Sequence, residues 1–278
     1  MAAAQAVAGT EIVAVDAMQV YRGMDIGTAK PTPADQAAVR HHGIDLVAPT
    51  VDFAVTDYVA AYDEAVATIA GRPLLVAGTG LYLAAVLDRL EVPGQWPEVR
   101  HRLDAEPDVA ALWARLDAAD PIAAGRIEPG NRRRIVRALE VTEGSGRPFS
   151  SYGPGLQAYP PTDATVIGLR WSRPALTQRV EQRVTAMMDA GLLAEVAGLH
   201  GAGLSRTARQ ALGYKELIDH LEGRATLAEA VDATVLRTRQ FAVRQERWFR
   251  RDPRVRWCDV ERDPVAELAP VVIAALQA

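Results

Sequence analysis

Lysine is almost absent from this chain: Lys30 and Lys215 are the only two, and the other 29 of the 31 basic residues are arginine. That bias carries little functional weight by itself. Cysteine occurs once, at Cys258, which excludes an internal disulfide framework and fits a reducing cytoplasm. No apolar run approaches the roughly 20 residues that span a bilayer, so no membrane partner is expected. Residues 1–9 are small and apolar, without the basic start of a signal peptide. The net charge of −4 excludes indiscriminate attraction to nucleic acid but leaves room for a local basic face. The histidines include one adjacent pair, His41-His42, whose rings point apart in an extended segment, so no metal site is expected there. No Gly-x-x-x-x-Gly-Lys-Ser/Thr stretch occurs anywhere, so these residues hold no phosphate-binding loop of that type.

What is present is an ordinary globular composition, 49% hydrophobic and 24% charged, in a chain long enough for one large domain or a domain with an insertion. Residues 2–8 read as a helix end, with Gly9 as its cap. The apolar runs 11–15 and 74–77 have the length of strands buried on both faces. Between them, Val55, Tyr58, Val59, Tyr62, Val66 and Ile69 fall at helical spacing. Gly71-Arg72-Pro73 stops that helix, and Gly78-Thr79-Gly80 opens another from Leu81. This alternation implies a parallel α/β sheet. From about residue 95 the character changes. Residues 97–103, 109–118, 121–126 and 131–143 read as helices with no strand between them, 144–161 as a loop, and 165–169 as a strand again. The expected organisation is an α/β core, 1–94 and 164–278, with a helical insertion, 95–163. A long amphipathic helix over 175–200 with a break at Gly191, another over 227–249 and a short strand at 255–258 complete the chain.

Asp16 stands at the C-terminal end of the first strand, the mouth of a parallel sheet, where such folds bind ligands. A carboxylate there accepts a proton or holds a metal through water. A lone aspartate in that place is more often a turn or helix cap. Gly78-Thr79-Gly80 lets backbone amides approach an anion at a helix start, and is equally a plain strand–helix turn. In 131–143, helical arithmetic puts Ile135, Ala138, Leu139 and Thr142 on one face and Arg133 and Arg137 on the other, with Arg134 to the side. Aligned arginines clamp phosphates; the alternative is a solvated face partly neutralised by Glu140. Arg173, Arg179 and Arg183 suit a lid over a diphosphate, or are ordinary surface arginines. Arg239, Arg244, Arg247, Arg250 and Arg251 project away from the apolar stripe of the 227–249 helix.

The run from Val13 through Asp16-Ala17-Met18-Gln19 to Gly27-Thr28-Ala29-Lys30-Pro31 resembles the signature of the tRNA dimethylallyltransferase (tRNA isopentenyltransferase) family. Gly78-Thr79-Gly80-Leu81-Tyr82 resembles a second family motif, with Ala77 replacing its first glycine. Further matches run from Asn131 to Glu140, from Gln210 to Glu216 and from Thr238 to Phe249, so the resemblance covers nearly the whole chain. It implies a P-loop NTPase-like parallel sheet flanked by helices, here without the first strand and phosphate loop that the family places just upstream. It also implies transfer of a dimethylallyl group from dimethylallyl diphosphate to N6 of the adenosine 3′-adjacent to the tRNA anticodon. By the same resemblance Asp16 is the general base and Thr79 lies at the reaction centre. Asp16, Ala17, Met18, Gln19, Thr79, Arg100, Arg133, Arg134, Ile135, Val136 and Arg137 would contact tRNA. Arg173 and Arg183 would meet the diphosphate, whose departure calls for Mg2+. The implied partners are the tRNA anticodon arm and dimethylallyl diphosphate, met by a cytoplasmic monomer. Two other functions stay open: an adenylate isopentenyltransferase acting on free nucleotide, and a tRNA-binding paralogue without catalysis. For the absent loop, the expectation is a natural protein that begins further upstream, with truncation or degeneration as alternatives. These 278 residues alone are then expected to show little or no transferase activity.

Overall fold

Strand β1 (Glu11–Val15) follows the short helix α1 (Ala2–Ala6). Its Ile12, Val13, Ala14 and Val15 are all buried, as a strand covered on both faces requires. This computed structural model describes every residue except Pro154 and Gln157, and the chain forms two compact units, 1–87 with 161–278, and 88–160.

In the first unit, β1 lies between β2 (His41–His42) and β3 (Pro73–Ala77), parallel to both. Ile12 stands opposite Leu74 and Val15 opposite Ala77, which brings Asp16 level with the Gly78 turn. Helices α2 (Pro33–Ala38), α3 (Val55–Thr68) and α4 (Gly80–Leu87) connect and cover these strands. Tyr58 of α3 is fully buried, and its hydroxyl donates to the Ala14 carbonyl at 2.7 Å. A second parallel pair joins β4 (Ile167–Trp171) and β5 (Arg256–Val260). Among the described residues β3 and β4 are each paired on one side only, and Val76 and Leu169 on them are 54% and 44% exposed.

The remaining helices of this unit are α9 (Arg173–Asp189), α10 (Leu192–Ala202), α11 (Tyr214–Leu221), α12 (Leu227–Phe249) and α13 (Pro264–Gln277). Periodicity predicts one helix over 175–200 with a break at Gly191. The chain makes two, because Gly191 takes φ +98°, a left-handed conformation that stops α9 and opens α10. Sequence reasoning missed α2, α11 and α13. The first two are only six and eight residues long, and α13 carries an internal proline, Pro270. His41 and His42 alternate along β2. His41 Nδ1 donates to the Val39 carbonyl, and His42 Nε2 meets Glu11 at 2.5 Å.

The second unit is helical: α5 (Pro97–Asp104), α6 (Val109–Ala119), α7 (Pro121–Ala124) and α8 (Arg132–Ser145). Leu103, Leu112, Leu116, Ile135 and Leu139 interlock at its centre. Asp120 caps α7, accepting from Ala123 N at 3.0 Å, and ties down the following loop through Ser150 N at 2.7 Å.

Candidate active site

The site grows from the end of β1. Asp16 Oδ1 accepts the backbone amides of Met18 at 2.8 Å and Gln19 at 3.2 Å, which turns the chain sharply out of the strand. Asp16 Oδ2 faces Gly78, where an added Cβ would stand 3.0 Å away, and it accepts no hydrogen bond among the described residues. The turn after β3 closes the other side. Amides of Gly78 and Thr79 both donate to the Val15 carbonyl, and Thr79 Oγ1 accepts the Ala17 amide at 3.1 Å. Asp16, Ala17 and Thr79 are thereby locked together, although 62 residues separate Ala17 from Thr79.

Helix α12 supplies the third wall. Gln245 Nε2 donates to the Gly78 carbonyl at 2.6 Å, and the Trp248 ring lies on Gly80, leaving no space for a side chain there. Glycine at 78 and 80 is therefore a matter of approach distance. Arg183 of α9 is exposed by area. Protein crowding around its guanidinium lowers its pKa, and the Asp16 carboxylate acts in the opposite direction. Arg173 pairs with Glu246 at 2.6 Å, beside Gln245, and Arg179 stacks over the Trp171 ring.

Within this unit the sequence-predicted residues Asp16, Ala17, Met18, Gln19, Thr79 and Arg183 converge. Arg173 lies one residue along α12 from the Gln245 contact through its bridge to Glu246. Gln245 and Trp248 were visible as part of a motif but had no role; their i, i+3 spacing on one helix face was the available signal.

The remaining predicted residues belong to the helical unit. Arg133 and Arg134 are exposed in the first turn of α8. Arg137 differs from its helical neighbour: it donates to the Pro93 and Gly94 carbonyls and pairs with buried Glu140 at 3.0 Å. Arg100 is bound to Asp104 at 2.9 Å and lies 3.5 Å from the same Glu140. Glu140 also accepts the Trp96 amide. Ile135 and Val136 are fully buried, backbone as well as side chain, so they hold α8 in place and present no surface to an outside partner. No group of three or more His, Cys, Asp or Glu side chains fit to hold a metal ion occurs among the described residues.

Comparison with known proteins converges on one family. The family model described as IPP transferase matches residues 19–252. The chain is 47% identical over 260 residues to a protein of Pseudarthrobacter chlorophenolicus named tRNA dimethylallyltransferase, covering 90% of this chain and 85% of that one. It resembles the solved full-length tRNA isopentenylpyrophosphate transferase of Bacillus halodurans at 35% identity and TM-score 0.68, covering 99% and 92% of the two chains. A eukaryotic dimethylallyltransferase acting on tRNA superposes with TM-score 0.80 at 21% identity, over 98% of this chain and 74% of that one, which is a likeness of fold.

Proposed function

The chain belongs to the IPP transferase family, and on that premise we propose that it transfers a dimethylallyl group from dimethylallyl diphosphate to N6 of the adenosine 3′-adjacent to a tRNA anticodon. The observation that carries this reading is the Asp16 carboxylate. One oxygen is fixed by two backbone amides, and the other opens toward the Gly78-Thr79 turn.

In the proposed reaction the N6 lone pair forms a bond to C1 of the dimethylallyl group. The C1–O bond breaks, and its electron pair leaves with the diphosphate. N6 then gives a proton to Asp16 Oδ2. An exocyclic adenine amine is a weak nucleophile, so a positioned carboxylate contributes about 10²–10⁴ in rate. Thr79 shapes the same wall. Arg183 adds a positive charge beside Asp16 for the departing diphosphate, and Arg173 can join it by exchanging its bridge to Glu246. Enzymes that act on diphosphates generally need a divalent cation, and Mg2+ is the proposed one; bound, it neutralises phosphate charge. Magnesium is held by one or two carboxylates plus substrate phosphates. Asp16 Oδ2 is the proton acceptor above, and no group of three or more His, Cys, Asp or Glu side chains fit to hold the ion occurs among the described residues, so no step runs through the metal.

The exposed Arg133 and Arg134 support a polynucleotide acceptor over a free nucleotide. No helix among the described residues is long and apolar enough to cross a membrane, and the proposed place of action is the cytoplasm, by a monomer. The test is deletion of the gene, with mass spectrometry of bulk tRNA. N6-dimethylallyladenosine should disappear; its persistence at normal level would refute the assignment. Incubation of the protein purified from its natural host with AMP and with tRNA separates the acceptors, and prenylation of AMP alone would favour the nucleotide enzyme.

A further inference from the structure

Residues 23–30 form a loop that touches no predicted catalytic group directly, yet it is held with unusual redundancy. Glu195, in the first turn of α10, places its carboxylate inside the loop. Its Oε2 accepts the backbone amides of Asp25 at 3.0 Å and Ile26 at 2.8 Å. Its Oε1 accepts the Gly27 amide at 3.2 Å and the Tyr214 hydroxyl at 2.5 Å. Four donors meet on one carboxylate from a residue about 170 positions away in sequence. Tyr214 is fully buried, and its ring lies against Gly27 so closely that a Cβ there would overlap it. Burial and then the Glu195 hydrogen bond push the Tyr214 hydroxyl pKa upward, so it remains a donor.

The held amides lead straight to the site. The next carbonyls in the chain, those of Thr28 and Ala29, accept the Gln19 side-chain amide at 3.1 and 3.3 Å. Ala29 sits at φ +49°, a conformation that a non-glycine residue keeps only when its surroundings impose it. Both partners of the Gln19 carboxamide are carbonyl oxygens, so its NH2 group must face the loop. Its own carbonyl oxygen, Oε1, is therefore turned away from the loop, and the Gln19 backbone amide is one of the two that fix Asp16. A carbonyl acceptor on the residue whose own amide binds the Asp16 carboxylate suits the two N6 hydrogens of adenine: one to be held, one to be taken.

We propose that Glu195, backed by Tyr214, is a positioning residue that sets the 25–29 loop and through it orients Gln19 Oε1 to select adenosine. This rests on the reading that an adenosine meets residues 16–19. Glutamine at 195 places an NH2 group against backbone N–H donors or the Tyr214 hydroxyl, so part of the clamp turns repulsive while size is kept.

The test uses the full chain, free of turnover. Binding is measured to an anticodon stem–loop with adenosine at the 3′-adjacent position and to the same RNA with an abasic residue there. Amide exchange is measured at Asp25, Ile26 and Gly27. Glu195→Gln should speed exchange at those amides at least tenfold and bring the adenosine-to-abasic affinity ratio to within about twofold of one, with abasic affinity unchanged. Tyr214→Phe, which leaves the carboxylate in place, should move both readouts the same way by a smaller factor, and it carries the test if Glu195→Gln fails to fold. A wild-type preference for adenosine that survives in the folded variants overturns the positioning role alone. A wild-type protein with no such preference overturns the reading beneath it and the proposal together.

Discussion

At Asp16, one carboxylate oxygen is spent on shaping the turn, and the other accepts no hydrogen bond among the described residues, as the proposed proton transfer needs. Asparagine keeps an oxygen for the Met18 and Gln19 amides but cannot take a proton. An Asp16→Asn allele at the natural locus should lower tRNA prenylation by a factor of about 10²–10⁴, while purified variant and wild type bind the anticodon stem–loop within about threefold. Equal prenylation in the two strains would remove Asp16 as the base. The apolar run at 11–15 is enough to place this carboxylate just past the end of β1, where it stands. Arg137 shows the opposite. Spacing places it beside Arg133 on an outer face, yet the Pro93 and Gly94 carbonyls and buried Glu140 claim its guanidinium. Glu140, three residues on, lies within helical spacing, but the Pro93 and Gly94 carbonyls lie 44 and 43 residues away, and spacing alone cannot announce them.

Among the elements, α8 and the α7 cap lend themselves to separate tests. Arg133 and Arg134 extend from α8 without an ion-pair partner among the described residues. Replacing both with alanine should weaken anticodon stem–loop binding and reduce the salt dependence, the slope of log K against log salt, by about 1–2. An unchanged slope would take these side chains off the RNA. Asp120 is 2% exposed. Burial alone would raise its pKa from the ordinary 3.8, but the Ser150 and Ala123 hydrogen bonds outweigh it and hold the carboxyl below that value. A depressed folded pKa means that its stabilisation is complete above the unfolded value and fades as pH falls through the folded one. Asp120→Ala should cost about 1–3 kcal/mol at pH 7, judged by urea midpoint. The gap between variant and wild type should narrow below about pH 4. A gap constant from pH 7 to pH 3 would show that the carboxylate charge is irrelevant to the cap.

For the whole molecule, the decisive fact is what the fold offers a diphosphate. Sheet order, the convergence of β1, β3 and α12 at Asp16, and the flanking helices give a P-loop NTPase-like fold, which the relatives share. Within these 278 residues there is no Gly-x-x-x-x-Gly-Lys-Ser/Thr loop, and among the described residues β3 and β4 each keep an unpaired edge with an exposed apolar residue. Phosphate departure needs oriented amides and cations, which Arg183 and Arg173 supply only in part. The purified 278-residue chain should therefore bind tRNA but prenylate it at a rate near background, followed by mass shift of the RNA. Rapid prenylation by this chain would show that its own arginines suffice.

The linear sequence determined the elements whose signal is local. These are the two-faced strand at 11–15, the α8 stripe, the glycine stop at 191 and the carboxylate at a strand mouth, each readable from periodicity or backbone preference within a few residues. Only the tertiary structure decided which polar groups meet: Thr79 with the Ala17 amide, Gln245 with the Gly78 carbonyl, Glu195 with three loop amides. Hydrogen bonds act over about 3 Å, and partners brought within that reach by chain folding carry no mark of their pairing in a single sequence.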